Sequence, residues 1–415
     1  MEKEKIRELK KLIASRLTRP MRYYLDTCTR CGLCYDTCHA YYGIPKKEYS
    51  PVGRAEVVRR AVKKHFRPSG ALLPYWGDAT AIDERVMDEM KEAAFSCTGC
   101  RRCMMYCPFG IDMPYILGIA KILLIGYGNA PEELVMLADA AVEKGKSIDE
   151  FKEGFRSVIG DMELEVQKRL GLPSAQGLIP MEKKNANVLF VGLSGAHSII
   201  HPAVIFNAAR EDWTLSFFEA VNFGMFVGDP AKMQLIADRV VNEAKALGVK
   251  EVVIVECGTA YRIPKFLLGP LPFKVTSIVE KIHQYIGEGR IRIKEGAISE
   301  PLTYHDPCQL GRNAGVFDEP REILGRLASD YREMSPTREY NWCCGGGGGL
   351  VALDNEEFRI KTGKAKKDQI DATGARIVVS ACENCILQLN TIKDGYGLDV
   401  EVRSLSELVA DNLAV

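Results

Sequence analysis

Cysteine spacing limits what this chain can fold into more than any other feature. The run Cys28-x2-Cys31-x2-Cys34-x3-Cys38 recurs as Cys97-x2-Cys100-x2-Cys103-x3-Cys107, followed by Pro108. Three cysteines at two-residue gaps wrap one cubane of iron and sulfide, and the fourth leaves that wrap to reach a second cubane. The spacing therefore predicts that Cys28, Cys31, Cys34 and Cys107 hold one [4Fe–4S] cluster, and that Cys97, Cys100, Cys103 and Cys38 hold another. The crossover obliges the two runs to pack together, close enough for electron transfer. Zinc needs four ligands, usually as two separated pairs, and leaves no role for a doubled run of four. His39 stands where the second run has Pro108; a proline there sets a turn and is not a ligand, so the assignment is unaffected.

Fourteen cysteines among 415 residues raise the alternative of disulfides. The charged start Met1-Glu2-Lys3-Glu4-Lys5 lacks the apolar segment of a secretory signal. A cytoplasmic chain with reduced thiols is the expectation, and dense cysteine then reads as metal or redox chemistry. Formal net charge is zero, which argues against nucleic acid as a main partner. No run reaches the ~18 apolar residues of a membrane span, so any membrane association is expected through partner subunits.

Residues 1–20 carry Ile6, Leu9, Leu12, Ile13 and Leu17 at helical spacing, an amphipathic helix ending before Pro20. It packs on its own domain or docks on a partner. Residues 21–130 are the double-cluster module, with helices predicted inside its long insertion at Pro51–Lys64 and Ile82–Phe95. Arg101 and Arg102, between cysteines of the second run, either raise the potential of that cluster or are simply solvated. Residues 131–184 are a helical connector.

From residue 185 short apolar runs alternate with helical stretches, as in parallel-sheet α/β units. The pattern occurs twice, over 185–297 and 298–415. Strands are predicted at 188–191, 252–255 and 274–278, then at 302–305, 377–379 and 400–402. Asn222-Phe223-Gly224 stands where the second copy has Cys343-Cys344-Gly345, and Cys257-x2-Ala260 where it has Cys382-x2-Cys385. Gly192-Leu193-Ser194 is the rough counterpart of the segment carrying Cys308. The first copy thus lacks four of five cysteines. In the second they fall at carboxyl ends of strands, where open α/β sheets bind ligands. Five soft thiolates select iron–sulfur or zinc, and five is one too many for tetrahedral zinc. The run Gly345 to Gly349 is a cluster loop, with a flexible linker as the alternative. Cys257 is either a buried small hydrophobe or a redox thiol beside the site.

The set Cys308-x34-Cys343-Cys344-Gly345-x36-Cys382-x2-Cys385 resembles the cysteine-rich CCG domain of heterodisulfide reductase catalytic subunits. In that family five cysteines hold a noncubane [4Fe–4S] cluster that cleaves disulfides. The resemblance implies that Cys308, Cys343, Cys344, Cys382 and Cys385 hold such a cluster here, beside the two cubanes. A double ferredoxin fused to tandem CCG domains is similar to the HdrD type, and the altered first copy is most similar to the DsrK type of membrane redox complexes. The implied fold class is α+β followed by α/β: a helical bicluster ferredoxin module and two tandem α/β CCG domains, the first degenerate.

The implied function is oxidoreduction of a sulfur group. Electrons come from a quinone-linked cytochrome b-type membrane subunit, alongside other iron–sulfur or cytochrome c subunits. They reduce a small-molecule disulfide or the trisulfide of a small DsrC-like carrier protein. The chain is then cytoplasmic and peripheral on the inner face of the membrane. His305 is the candidate proton donor, with a pKa near neutrality, or else a hydrogen-bonded loop histidine. Cys257 is the candidate redox thiol and Arg262 the anion holder; Asp306 and Arg312 are weaker candidates. Two other functions fit the same residues. One is that of the HdrD polypeptide of CoB–CoM heterodisulfide reductase. The other is an iron–sulfur conduit in a lactate, glycolate or glycerol-3-phosphate oxidase with a flavoprotein partner.

Overall fold

A computed structural model describes residues 3–75, 77–193 and 195–414. Ser194, named above as part of a counterpart segment, and Met1 and Glu2 of the first helix lie outside the described residues.

The N-terminal third is helical because its apolar residues recur at helical spacing around the cysteine loops. Leu9 and Ile13 of helix Lys3–Arg16 are buried against helix Met113–Tyr127. Pro20 does not follow a helix end in open chain: it occupies the first turn of a new helix, Arg19–Thr27, whose Met21 N–H is accepted by the Thr18 hydroxyl. Proline suits that turn because its missing N–H has no intrahelical partner there. Helices Pro51–Phe66 and Glu84–Phe95 fill the insertion and share one core with Met113–Tyr127 and Glu132–Lys146. Among the described residues no single helix is long and apolar enough to cross a membrane.

Two parallel sheets follow. The first has strand order β2-β1-β3-β4, with β1 Val188–Val191, β2 Trp213–Leu215, β3 Glu251–Ile254 and β4 Lys274–Ser277. The second has order β5-β6-β7, with β5 Leu302–His305, β6 Ile377–Ser380 and β7 Glu401–Ser404. Sequence reading missed β2, a three-residue strand. Its counterpart in the second sheet shrinks to a bridge from Leu302 to Tyr331. Registers match across the two units: Val191 lies opposite Ile254 as His305 lies opposite Ser380. Ser277 and Ser404 each form a capping box, with Glu280 and Glu407, at the start of the helix after the last strand. The two sheets bury their apolar faces in one shared core. A smaller core holds Cys344, Cys382 and Cys385 among Met334, Ile370, Val378 and Leu389.

Candidate metal and redox centre

The crossover pairs of the ferredoxin runs are neighbours. Burial pushes the Cys34 thiol up to about 12, with Cys28 and Cys107 among the charges that add to it. Burial raises Cys28 likewise, with Cys107 contributing. Cys38 meets the second run instead. Its sulfur accepts a hydrogen bond from Arg54 Nη1 at 3.5 Å, and Arg54 feels Cys38, Cys97 and Cys103 together. Arg54 is buried, held by Ser96 Oγ and Ser96 O, both at 2.9 Å. Desolvation works against its charge and the thiolates overcome it, so its pKa is raised. Cys31 is exposed.

The second-half cysteines converge at the carboxyl ends of β5 and β6 and in the glycine loop. Cys343 is held well below the usual thiol range, first by hydrogen bonds from Cys100 and Cys308, then from Cys344. Cys344 Sγ lies 3.3 Å from Cys385 Sγ, and a hydrogen bond from the Cys385 thiol helps lower Cys382. One ring nitrogen of His305 and the sulfurs of Cys344 and Cys385 lie within 4.8 Å of one another. The glycine run is not a free linker. Gly345 N–H points to Cys343 Sγ at 3.4 Å and Gly346 N–H to Cys344 Sγ at 3.5 Å. At Gly348, φ is +70°, and an added Cβ would sit 2.8 Å from the Cys97 carbonyl oxygen. Only glycine lets this backbone lie on the second ferredoxin run.

The two thiol sets therefore adjoin: Thr98 Oγ1, inside the second run, lies 3.4 Å from Cys343 Sγ, and the Cys100 thiol helps hold Cys343 down. Two arginines clasp the join. Arg102, from the ferredoxin side, donates to Tyr340 O at 2.8 Å and Thr37 O at 2.7 Å and stacks 3.5 Å from the Trp342 ring centroid. Arg312, from the other side, donates to Cys100 O at 2.8 Å, Glu339 O at 2.5 Å and Asn341 O. His39 fills the join. It is buried, with Thr98 Oγ1 at 3.2 Å, Thr362 O at 3.3 Å and Cys343 in contact. Sequence reading passed over Arg54, His39 and Lys366; the substitution of His39 for the proline of the second run was the one available signal.

The three predicted catalytic side chains occupy different places. His305 is fully buried at the end of β5, with Nδ1 3.3 Å from Asn341 Nδ2 and Nε2 without a protein partner. Its pKa is not near neutrality as expected: desolvation first, then Lys366, pushes it well down. Cys257 is buried where the two units meet, beside Cys382, and burial pushes its thiol up to about 12. The adjoining Glu256 carbonyl accepts Glu383 N–H at 2.9 Å. Arg262 donates to Gln309 Oε1 at 2.5 Å, its Nε has no partner, and desolvation lowers its pKa to about 10. It lines a cavity of about 310 Å³ with Arg101, Lys121, Met225, Gln309 and Cys97. Asp306 is taken up by a bidentate pair with Arg321, both bonds 2.8 Å. Lys366 is completely buried beside Asn341 Oδ1 at 2.9 Å, Gln369 Oε1 and Met334 Sδ at 3.5 Å. Desolvation pushes its pKa down to about 7 against the pull of Cys344.

The donor set fits iron–sulfur chemistry on its own terms: thiols gathered in two groups, backbone N–H groups aimed at sulfur, and a buried guanidinium on a thiolate.

Residues 24–111 match the family described as 4Fe-4S dicluster domain, and residues 302–390 match CCG, the cysteine-rich domain. The chain is 27% identical to the Hdr-like menaquinol oxidoreductase iron-sulfur subunit of Archaeoglobus profundus, over 96% of this chain and 81% of that protein. It is 28% identical to the HdrD polypeptide of the dihydromethanophenazine:CoB–CoM heterodisulfide reductase of Methanosarcina mazei, over 96% of each. It is 24% identical to the EtfAB:quinone oxidoreductase of Syntrophomonas wolfei, over 89% of this chain and 55% of that protein.

Proposed function

The chain is an HdrD-like iron–sulfur subunit, and from that premise we propose that it conveys electrons singly from a quinone-linked membrane partner to a disulfide or trisulfide reduced at the CCG cysteines. The first sheet unit is then a degenerate CCG copy that keeps the fold without the ligands. Cys28, Cys31, Cys34 and Cys107 hold one cubane, and Cys97, Cys100, Cys103 and Cys38 the other. Cys308, Cys343, Cys344, Cys382 and Cys385 hold a noncubane [4Fe–4S] cluster. These groups supply one-electron redox steps and an iron that binds sulfur.

The observation that carries the reading is the 3.4 Å contact of Thr98 Oγ1 with Cys343 Sγ. It joins the second ferredoxin run to a CCG cysteine inside a buried, arginine-clasped interface, so electrons need no solvent gap. Reducing one S–S bond takes two electrons and two protons and yields two thiols. The cavity lined by Arg262 and Gln309 is the approach to the CCG cysteines, reached through Gln309 next to Cys308, since none of the five lines it. Arg262, with its unpartnered Nε, orients an anionic group of it. His305 stays neutral and holds the Asn341 amide in place beside Cys343.

The chain sits on the inner membrane face through a cytochrome b-type subunit, and the sulfur substrate is a small disulfide or a carrier protein's trisulfide. Anaerobic isolation with iron analysis tests this: about twelve irons per chain fit three clusters, and about eight remove the noncubane assignment. Titration with a disulfide then produces a new paramagnetic state at the third centre if substrate binds there. Similarity to the EtfAB:quinone oxidoreductase supports a second reading, an electron conduit without substrate at the CCG cysteines; a silent titration favours it.

A further inference from the structure

The two sheet units offer an internal comparison at three positions around the thiols. His305 ends β5 at the register position where Val191 ends β1. Asn341 precedes Gly345 by the same interval as Ala220 precedes Gly224. Lys366 lies as far before Gly374, the left-handed end of its helix, as Val240 lies before Gly248, the left-handed end of the matching helix. In the first unit Val191, Ala220 and Val240 together line an apolar cavity of about 40 Å³. In the second unit the same three places hold a linked polar set: His305 meets Asn341, and Asn341 Oδ1 accepts from Lys366 Nζ at 2.9 Å. The fold accepts hydrocarbon at every one of these positions, so the polar set is not there to build the fold.

Lys366 is the costly member. Among the described residues no carboxylate lies within ion-pair distance of it; its contacts are amide oxygens and a thioether. A buried ammonium without a counter-ion is strongly unfavourable. Of the opposite charges that act on it, Asp306 is already paired with Arg321, and the others are the sulfurs of Cys344, Cys343 and Cys385. An anionic centre on those thiolates is the counter-ion the geometry lacks.

We propose that Lys366 is a positioning residue for the CCG centre, a buried cation that raises its reduction potential. This rests on the functional reading above. Adding an electron to the centre adds negative charge, so a fixed cation favours the reduced form.

The test is redox potentiometry of the isolated, three-cluster protein, followed by electron paramagnetic resonance. Lys366→Met keeps the stem and drops the charge. Its third centre should shift to lower potential by about tenfold or more in the reduced-to-oxidised ratio, ~59 mV for one electron, with both ferredoxin clusters unmoved and iron content as in wild type. Lys366→Arg should restore the potential. If Lys366→Met loads iron poorly, Lys366→Gln, which keeps an amide toward Asn341, carries the same measurement. An unshifted third centre in the charge-removed protein overturns the proposal and leaves the functional reading standing. A wild-type protein with no third centre overturns both.

Discussion

Replacing Arg102 with methionine should loosen the join between the ferredoxin module and the CCG loop while leaving each folded. The side chain is buried. Its guanidinium supplies the hydrogen bonds to Tyr340 O at 2.8 Å and Thr37 O at 2.7 Å, and it lies 3.5 Å from the Trp342 ring centroid. Methionine keeps the apolar stem and removes all three contacts. Each carbonyl left without a donor costs ~1–3 kcal/mol, and a desolvated cation–π contact is worth ~0.5–2 kcal/mol. The two contacts that cross to residues 338–344, Tyr340 O and the Trp342 ring, account for roughly 1.5–5 kcal/mol. At ~1.4 kcal/mol per tenfold, opening of that contact should rise at least about tenfold. Amide hydrogen exchange over 338–349 reads this directly, and it should accelerate while protection in β1, β3 and β6 holds. Arg102→Lys should recover only part, because one ammonium cannot reach both carbonyls and lie flat on the indole. Unchanged exchange over 338–349 in Arg102→Met would refute the claim that this arginine fastens the two modules.

Other perturbations separate fold from function. Arg321→Leu leaves Asp306 buried and uncompensated, so thermal unfolding should show a loss of ~3–5 kcal/mol. Gly348→Ala combines a positive φ with a Cβ on the Cys97 carbonyl, and should cost ~1–3 kcal/mol and lower iron retention during gel filtration. Glu256 is fully buried, with desolvation first among its causes, and is pushed up to about 8. Its folded form keeps a proton that the unfolded chain releases near its usual pKa of 4.5. Stability should therefore fall as pH rises from ~4.5 to 8; Glu256→Gln should flatten that slope in denaturant titrations, and an unchanged slope refutes the assignment.

Element order is legible in the chain where its determinants are local. The predicted strand series differs from the observed one by the missing β2, whose three residues pair only because β1 runs alongside. The first helix ends before Pro20 as expected, and the Thr18 cap lets the same proline sit in the first turn of the next. The near-neutral pKa expected for His305 failed for a non-local reason: Lys366 and burial act on it from other elements.

By itself the sequence determined the spacing of the cysteines, on which the proposed grouping into clusters rests. It also determined the duplication, because strand ends, glycine stops and the Ser277 and Ser404 caps recur in order. Tertiary structure alone decided what the charges do. Arg101 and Arg102 are neighbours with identical side chains. Arg101 takes a left-handed backbone and pairs with Asp112 at 2.9 Å. Arg102 turns inward to a carbonyl 238 residues away. Whether a cation is solvated or buried depends on what long-range packing lays over it, and no local pattern encodes that.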